Sequence, residues 1–302
     1  RINNEIVQAH AEREVVLCGG AINSPQLLLL SGVGPAGRLR ELGIPVVHDL
    51  PGVGQHLHDH PLFCVTYKCT RPITLAGAES LANIAAYLLR GRGMLTSNVG
   101  EAVAFVRTRA DLPAPDVELI FAPAFFMEHG YASPAGHGFS IGVVALRPAS
   151  RGTLTLASAD PFAAPRIEPR YFSDERDMDT LLAGVSMARA LAGAAAFAPF
   201  RGDEVWPGRT IQSDADLRDA IRQRFQSIYH PAGTCKMGND LLAVVDAELR
   251  VHGVEGLRVA DASIMPRLNS GHPQAPTLMI AERAADMIAG VGVKEAELQV
   301  AA

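Results

Sequence analysis

The stretch Gly20-Ala21-Ile22-Asn23-Ser24-Pro25-Gln26-Leu27-Leu28-Leu29-Leu30-Ser31-Gly32-Val33-Gly34 decides how this chain is read. It follows Glu14-Val15-Val16-Leu17-Cys18, a short apolar run suited to a strand buried on both faces. Gly19-Gly20 turns the chain. Ser24 is placed to cap a helix, and Pro25 would sit at the first helical position, where a missing N–H costs nothing. Leu27 to Leu30 then reads as buried helix, and Gly32 as its stop. Taken alone, the stretch is a strand, a turn and a helix with ordinary caps. Its small residues would also let backbone approach a cofactor, as glycines do in dinucleotide folds.

Working outward, Pro35 starts a second helix through Leu39 and Leu42, and Gly43 closes it before a strand from Ile44 to Val47. From about Leu62 the texture changes. Strand-like segments follow one another at Phe63 to Tyr67, Val103 to Arg107, Val117 to Phe121, Phe139 to Ala145 and Thr153 to Leu156, with one helix around Leu81 to Leu89. Runs of strands with few helices indicate an antiparallel sheet in an α+β region. A helix from about Asp177 to Leu191 comes next. Another is capped by Ser213, with Leu217, Ile221, Phe225 and Ile228 on one face. The chain returns to α/β texture with a strand from Leu257 to Ala260 and a helix from Pro276 to Ala289. That helix's expected buried stripe is Leu278, Ala281, Ala285 and Ile288.

Composition bounds the answer. At 32.1 kDa a compact monomer would keep roughly 12,000 Å² of surface, which leaves ample material for a core. A chain that is 48% hydrophobic and 20% charged is neither disordered nor fibrous. The net charge of −5 gives no general attraction for nucleic acid or an anionic membrane, and nucleic acid is not expected as a partner. No apolar run is long enough to span a bilayer. Cys18, Cys64, Cys69 and Cys235 have neither metal nor disulfide spacing and read as reduced thiols. The expectation is a cytoplasmic chain, with peripheral membrane association and oligomerisation left open. It opens Arg1-Ile2-Asn3-Asn4-Glu5 without Met, and we expect a chain whose N-terminal part is absent.

Two further blocks carry chemistry-bearing residues. Tyr229-His230-Pro231-Ala232-Gly233-Thr234-Cys235 holds a histidine in a rigid turn, as a positioned acid/base or as a polar helix end. Asp261-Ala262-Ser263-Ile264-Met265-Pro266, running on to Ser270-Gly271-His272-Pro273-Gln274-Ala275-Pro276-Thr277, begins past the C-terminal end of a strand, the usual ligand edge of an α/β sheet. His272 lies four residues before the expected helix, whose N-terminus can stabilise an anion.

Together these blocks resemble the glucose–methanol–choline oxidoreductases, flavoenzymes that oxidise alcohols on FAD. The Gly20 to Gly34 run fits that family's second sequence signature. Leu50-Pro51-Gly52-Val53-Gly54-Gln55-His56-Leu57-His58-Asp59-His60-Pro61 is similar to the segment that follows it, with His56 where Asn is commoner. Pro148-Ala149-Ser150-Arg151-Gly152, followed by Asp160-Pro161, is similar to the start of the family's C-terminal region. The His230 and Asp261 to Thr277 blocks match its two catalytic segments. The family's Gly-x-Gly-x-x-Gly fingerprint does not occur, since Gly52-Val53-Gly54 lacks the third glycine.

The resemblance implies the C-terminal portion of a choline dehydrogenase-like, FAD-dependent alcohol dehydrogenase. The implied fold is α/β plus α+β: the C-terminal part of a Rossmann-like FAD domain with an inserted antiparallel-sheet substrate domain. The implied division is 1–61 for the FAD-binding part, 62–238 for the substrate part, 239–293 for the return to the FAD-binding part and 294–302 for a tail. It implies His230 and His272 as catalytic, with His230 the general base and His272 on the substrate oxygen. Which of them carries the proton is left open. It implies Ala21, Asp261, Ala262, His272 and Pro273 as cofactor contacts, with FAD as cofactor and a small-molecule alcohol as substrate. The electron acceptor, whether oxygen, quinone or protein, is unassigned. Glu101, Phe125 and Phe126 are candidates for the substrate pocket. Aromatic content of 6% favours an uncharged primary alcohol over choline, which asks for an aromatic and acidic cage.

Other chemistries fit less well. His56-x-His58-x-His60 with His48 nearby suggests a metal cluster, but no accompanying set of Asp, Glu or Cys ligands follows, and no metal is expected. Neither a Gly-x-Ser-x-Gly elbow nor a P-loop occurs. The alternative is a non-catalytic fragment or binding module of the same fold that cannot hold FAD alone.

Overall fold

A computed structural model describes residues 5–131 and 134–291; the opening Arg1 to Asn4 and the expected tail at 294–302 lie outside the described residues. In chain order come β1 (Val15–Leu17), α1 (Gly20–Leu30), β2 (Val33–Gly34), α2 (Ala36–Glu41), β3 (His48–Asp49) and β4 (Pro61–Cys69). Then follow α3 (Leu81–Arg90), β5 (Ala102–Val106), β6 (Val117–Ala122), β7 (Gly138–Ala145), β8 (Thr153–Thr155) and β9 (Arg166–Glu168). The chain finishes through α4 (Glu175–Gly193), β10 (Arg201–Trp206), α5 (Asp214–Arg224), β11 (Gln226–Ser227), β12 (Leu257–Val259) and α6 (Gln274–Ala289).

The two ends of the chain meet. β1 pairs with β12 in parallel, Val15 opposite Leu257 and Leu17 opposite Val259. Around this pair a first core gathers Leu28 and Leu29 of α1, Leu39 of α2, Val259 and Ile264, together with Leu154, Leu156, Ala232 and Cys235 from the middle of the chain.

The middle forms an antiparallel sheet in the order β10-β4-β7-β6-β5, with β11 paired to the start of β4. Strand alternation gives the sheet two faces. One face carries Phe63, Val65, Val117, Leu119, Phe139, Ile141 and Val143. It packs on Met178, Leu181 and Val185 of α4 and on Leu217 and Ile221 of α5. On the other, register places Phe105 opposite Glu118, Glu118 opposite Val144, and Val144 opposite Leu62. This second face has a smaller core of Leu62, Cys64, Val144 and Leu146, joined by Ile120, Phe126 and Ile228.

Several expectations are corrected. α1 begins at Gly20, so Pro25 lies inside the helix and Ser24 does not cap it. Asp261 does that work from across the fold: its Oδ2 accepts from the Gly20 N–H at 2.9 Å and from the Ser24 hydroxyl. Pro25 has no N–H to return to the Ala21 carbonyl, and the Thr234 hydroxyl donates to that carbonyl instead, at 2.6 Å. No strand forms from Ile44 to Val47; the pairing residues are His48 and Asp49, against Val33 and Gly34. α5 ends at Arg224 because Gln226 and Ser227 pair with Leu62 and Pro61.

α6 begins two residues early, at Gln274, and buries Ile280 and Ala284, leaving Leu278 58% exposed. The helix is apolar on more than one side, so its sequence carries two candidate stripes and packing selects between them. The accessible surface is 17,100 Å², well above the area expected of a compact chain of this mass. α3 buries no residue, and β5 runs along the sheet edge with Val103 and Phe105 about half exposed. Among the described residues, no helix is long and apolar enough to cross a membrane.

Candidate active site

The His-Leu-His-Asp-His segment at 56–60 leads directly into β4, and it organises the site. Asp59 is buried and accepts four hydrogen bonds. Its Oδ1 takes the backbone N–H of His60 and of His230, both at 2.8 Å, and its Oδ2 takes the hydroxyls of Tyr171 and Ser227. An acceptor-only carboxylate can satisfy that many donors, and no neutral side chain can. The backbone of His58 and Ala232 also exchanges two hydrogen bonds, at 3.1 and 2.9 Å. Gly233 makes that approach feasible. Its φ is +88°, and a Cβ there would stand 2.5 Å from His58 Cε1 and 2.6 Å from the His56 carbonyl.

This lacing sets His230 between two other imidazoles. Its Nδ1 lies 3.0 Å from Nδ1 of His60, whose Nε2 lies 3.1 Å from the Leu146 carbonyl. The His230 ring meets the His272 ring edge to face, centroids 4.9 Å apart. Burial, reinforced by the neighbouring histidines, pushes His230 down to about 4, and burial does the same to His60. Both rings are therefore neutral at pH 7.

His272 reaches the site from the loop before α6. Its Nε2 is 2.9 Å from Oε1 of Glu118, a carboxylate on β6 with no exposure. A carboxylate only accepts, so this nitrogen carries the proton. His272 itself is 53% exposed, and its carbonyl accepts from the Asn269 amide at 3.2 Å. Glu118 escaped sequence reading because an alternating strand, Val117-Glu118-Leu119-Ile120, gives a charged residue an ordinary solvent-facing position. A lone charge inside an apolar strand was the one available signal.

The expected cofactor contacts sit beside this cluster. Asp261 is buried, and its carboxylate is occupied by Gly20, Ser24 and Ser263. Its part here is to join α1 to the loop after β12, which leaves backbone at Gly20, Ala21 and Ala262 to line a ligand. Ala21 is buried against that junction. Pro273 is the N-cap residue of α6 and offers no side-chain acceptor, so the first-turn N–H groups of Gln274 and Ala275 have no side-chain cap. His272 thus lies immediately before the cap, closer to the helix than the sequence indicated.

The substrate candidates divide. Phe126 joins the core on the Glu118 face, Phe125 is buried against Gly138, and Glu101 is exposed outside the cluster. Of the clustered histidines, His56 bonds the Pro266 carbonyl and His58 bonds the His56 carbonyl. Among the described residues, no group of three or more His, Cys, Asp or Glu is arranged to hold a metal.

Comparison with known proteins adds a relationship to this geometry. Two family models described as GMC oxidoreductase match residues 3–62 and 148–281, together more than half of the chain. An uncharacterised GMC-type oxidoreductase of Mycobacterium tuberculosis is 48% identical over 282 residues, covering 92% of this chain and 53% of the relative. An oxygen-dependent choline dehydrogenase of Chromohalobacter salexigens is 44% identical over 287 residues, covering 94% and 51%. Among solved structures, a variant of the Aspergillus oryzae RIB40 formate oxidase, studied for modification of its FAD, superposes with a TM-score of 0.86. It is 30% identical and covers 93% of this chain and 54% of that one. The chain spans about half the length of the curated relatives it matches.

Proposed function

We propose an alcohol-oxidising role for this chain on one premise: it belongs to the GMC oxidoreductase family. The reading is an FAD-dependent oxidation of a CH–OH donor to an aldehyde or ketone. The observation that carries it is the convergence of His230 and His272, from two separate sequence blocks, to ring centroids 4.9 Å apart.

The residues fit the flavin end of FAD. Among the described residues, the buried side-chain atoms without a hydrogen-bond partner are His58 Nε2, Glu118 Oε2, Ser263 Oγ and Asn269 Oδ1. All four belong to the segments that meet around the histidines, where a polar ligand would answer them. Backbone at Gly20, Ala21 and Ala262 would line the cofactor. The N-terminus of α6 would face its most electron-rich edge, because free N–H groups and the helix dipole both favour negative charge there. When bound, the flavin supplies the hydride acceptor.

The chain's own residues supply proton handling and placement. Neutral His230 has a lone pair with which to take the hydroxyl proton at pH 7. His272, its Nε2–H committed to Glu118, is held beside that base with Nδ1 as the nitrogen left to meet the substrate hydroxyl. The test is turnover per bound flavin with simple primary alcohols. Alcohol-dependent reduction of an artificial acceptor that disappears in His230→Ala, with flavin retained, supports the reading. Undiminished turnover in that variant removes it.

A further inference from the structure

We propose that His60 is a positioning residue: it fixes which nitrogen of His230 carries the proton, and so which nitrogen can act as the base. One chain of hydrogen bonds allows its protons to be counted. It begins at the Leu146 carbonyl, which can only accept. His60 Nε2 lies 3.1 Å from it, so Nε2 is the protonated nitrogen of His60.

A neutral imidazole carries one proton, so His60 Nδ1 must present a lone pair. That lone pair faces His230 Nδ1 at 3.0 Å. Two lone pairs at this distance would repel; the contact is a hydrogen bond only if His230 Nδ1 carries the proton. His230 Nε2 is then the unprotonated nitrogen, and among the described residues it has no protein hydrogen-bond partner. Burial keeps both rings neutral at pH 7, so neither second proton disturbs the count.

The backbone makes the arrangement stiff. Asp59 holds the N–H of both histidines on one carboxylate oxygen, so the two rings are anchored to a common point. The other ionisable groups around His230 are His272, which faces it edge-on, and Asp59, whose oxygens are already occupied. Neither offers His230 Nδ1 an acceptor that would replace His60. A free imidazole favours the opposite tautomer slightly, so the selection is imposed by this contact.

The assignment itself is independent of the proposed catalytic reading; only its consequence for turnover rests on the base role of His230. The experiment is long-range ¹H–¹⁵N NMR of the full chain with ¹⁵N-labelled histidine at neutral pH, the His230 signals being identified by their loss in His230→Gln. We expect His230 Nδ1 to show the shift of a protonated ring nitrogen and Nε2 that of an unprotonated one. His60→Leu should move His230 toward the opposite tautomer. His60→Gln should preserve it, because the amide can donate to Leu146 and accept from His230 at once.

In the FAD-loaded protein, His60→Leu should lower turnover roughly tenfold at saturating alcohol with KM little changed, and His60→Gln should restore most of the loss. A wild-type His230 protonated at Nε2, or a tautomer unmoved by His60→Leu, overturns the proposal. A tautomer that moves while turnover per flavin does not would uphold the His60 assignment and instead defeat the base role of His230. The wild-type spectrum alone decides the assignment if the leucine variant does not fold.

Discussion

His230 and His272 face each other, yet the protein treats them differently. His230 is held from three directions: its backbone by Asp59, its ring by His60, and its turn by the exchange between Ala232 and His58. His272 sits on a loop, half exposed, and among the described residues its ring makes one hydrogen bond, to Glu118. A base must present one lone pair at one place, and loss of a fixed geometry is felt directly in rate. A group that steadies the substrate hydroxyl needs only one hydrogen bond to it, which several side chains and orientations can make. The difference in bracing therefore matches the proposed difference in task.

The largest expected effect strikes the braced side. Positioned general-base catalysis is worth about 10² to 10⁴ in rate, and His230→Ala should lower turnover per bound flavin by that order. Flavin content should stay at the wild-type level, read from the absorbance spectrum of the purified variant. A structural role alone would instead lower stability and leave the rate per flavin near normal.

Acid should loosen the same side before it touches the rest. Burial holds His58 at about 3 and His60 at about 4, below the ordinary 6.5 of a free imidazole. The unfolded chain therefore takes up these protons first as the pH falls. Stability from these two groups is fully present above about pH 6.5, is lost progressively through the window down to pH 4 and 3, and changes no further below it. The loss from His60 alone is on the order of 3 kcal/mol. Denaturant melts across that window should show it, and His60→Gln should flatten its share of the slope. A slope unchanged by the variant would place the acid sensitivity elsewhere.

Some of this asymmetry was legible in the sequence. Tyr229-His230-Pro231 announces a histidine in a stiff turn, whereas the close approach at Gly233 shows only in the fold. The strand-then-helix ends and the antiparallel sheet also follow from apolar runs and their spacing, whereas His230 and His272 are singled out by the family resemblance. What could not be read was anything that depends on contacts between distant segments. Ser24 looks like a helix cap until Asp261, remote in sequence, arrives to claim it. Glu118 looks like a solvent-facing strand residue until the His272 loop covers it. In the 56–60 segment the three histidines are visible, but that His60 addresses His230 appears only in the fold. Local patterns fix elements; the partners of polar groups are fixed by topology.

Gly233 gives a sharper test of the bracing, with a smaller effect. Ala there meets a positive φ and three contacts below 3 Å, two with the His58 ring and one with the His56 carbonyl. Gly233→Ala should cost about 3 kcal/mol of stability by combined backbone strain and overpacking. It should also lower turnover in the fraction that remains folded, because the turn that carries His230 must shift. Calorimetry and rate per flavin on one sample separate the two losses. Normal stability would show that the turn is softer than its geometry implies.

The smallest expected effect belongs to the lightly held side. In His272→Asn the amide can still hydrogen-bond the substrate hydroxyl, so kcat/KM should fall only about tenfold, near 1.4 kcal/mol. Glu118→Gln keeps an acceptor for His272 Nε2–H but removes the charge, and a loss no larger than this is expected. The informative measurement is the double variant. If Glu118 acts only by orienting His272, its partner is already gone in His272→Asn, and adding Glu118→Gln should cost little more than the single change. Strict additivity would mean that Glu118 reaches the ligand independently. Its second oxygen, Oε2, is the atom placed to do so, being buried without a partner of its own. The cycle thus separates orientation from direct contact, since residues acting through one another are non-additive and residues acting separately are not.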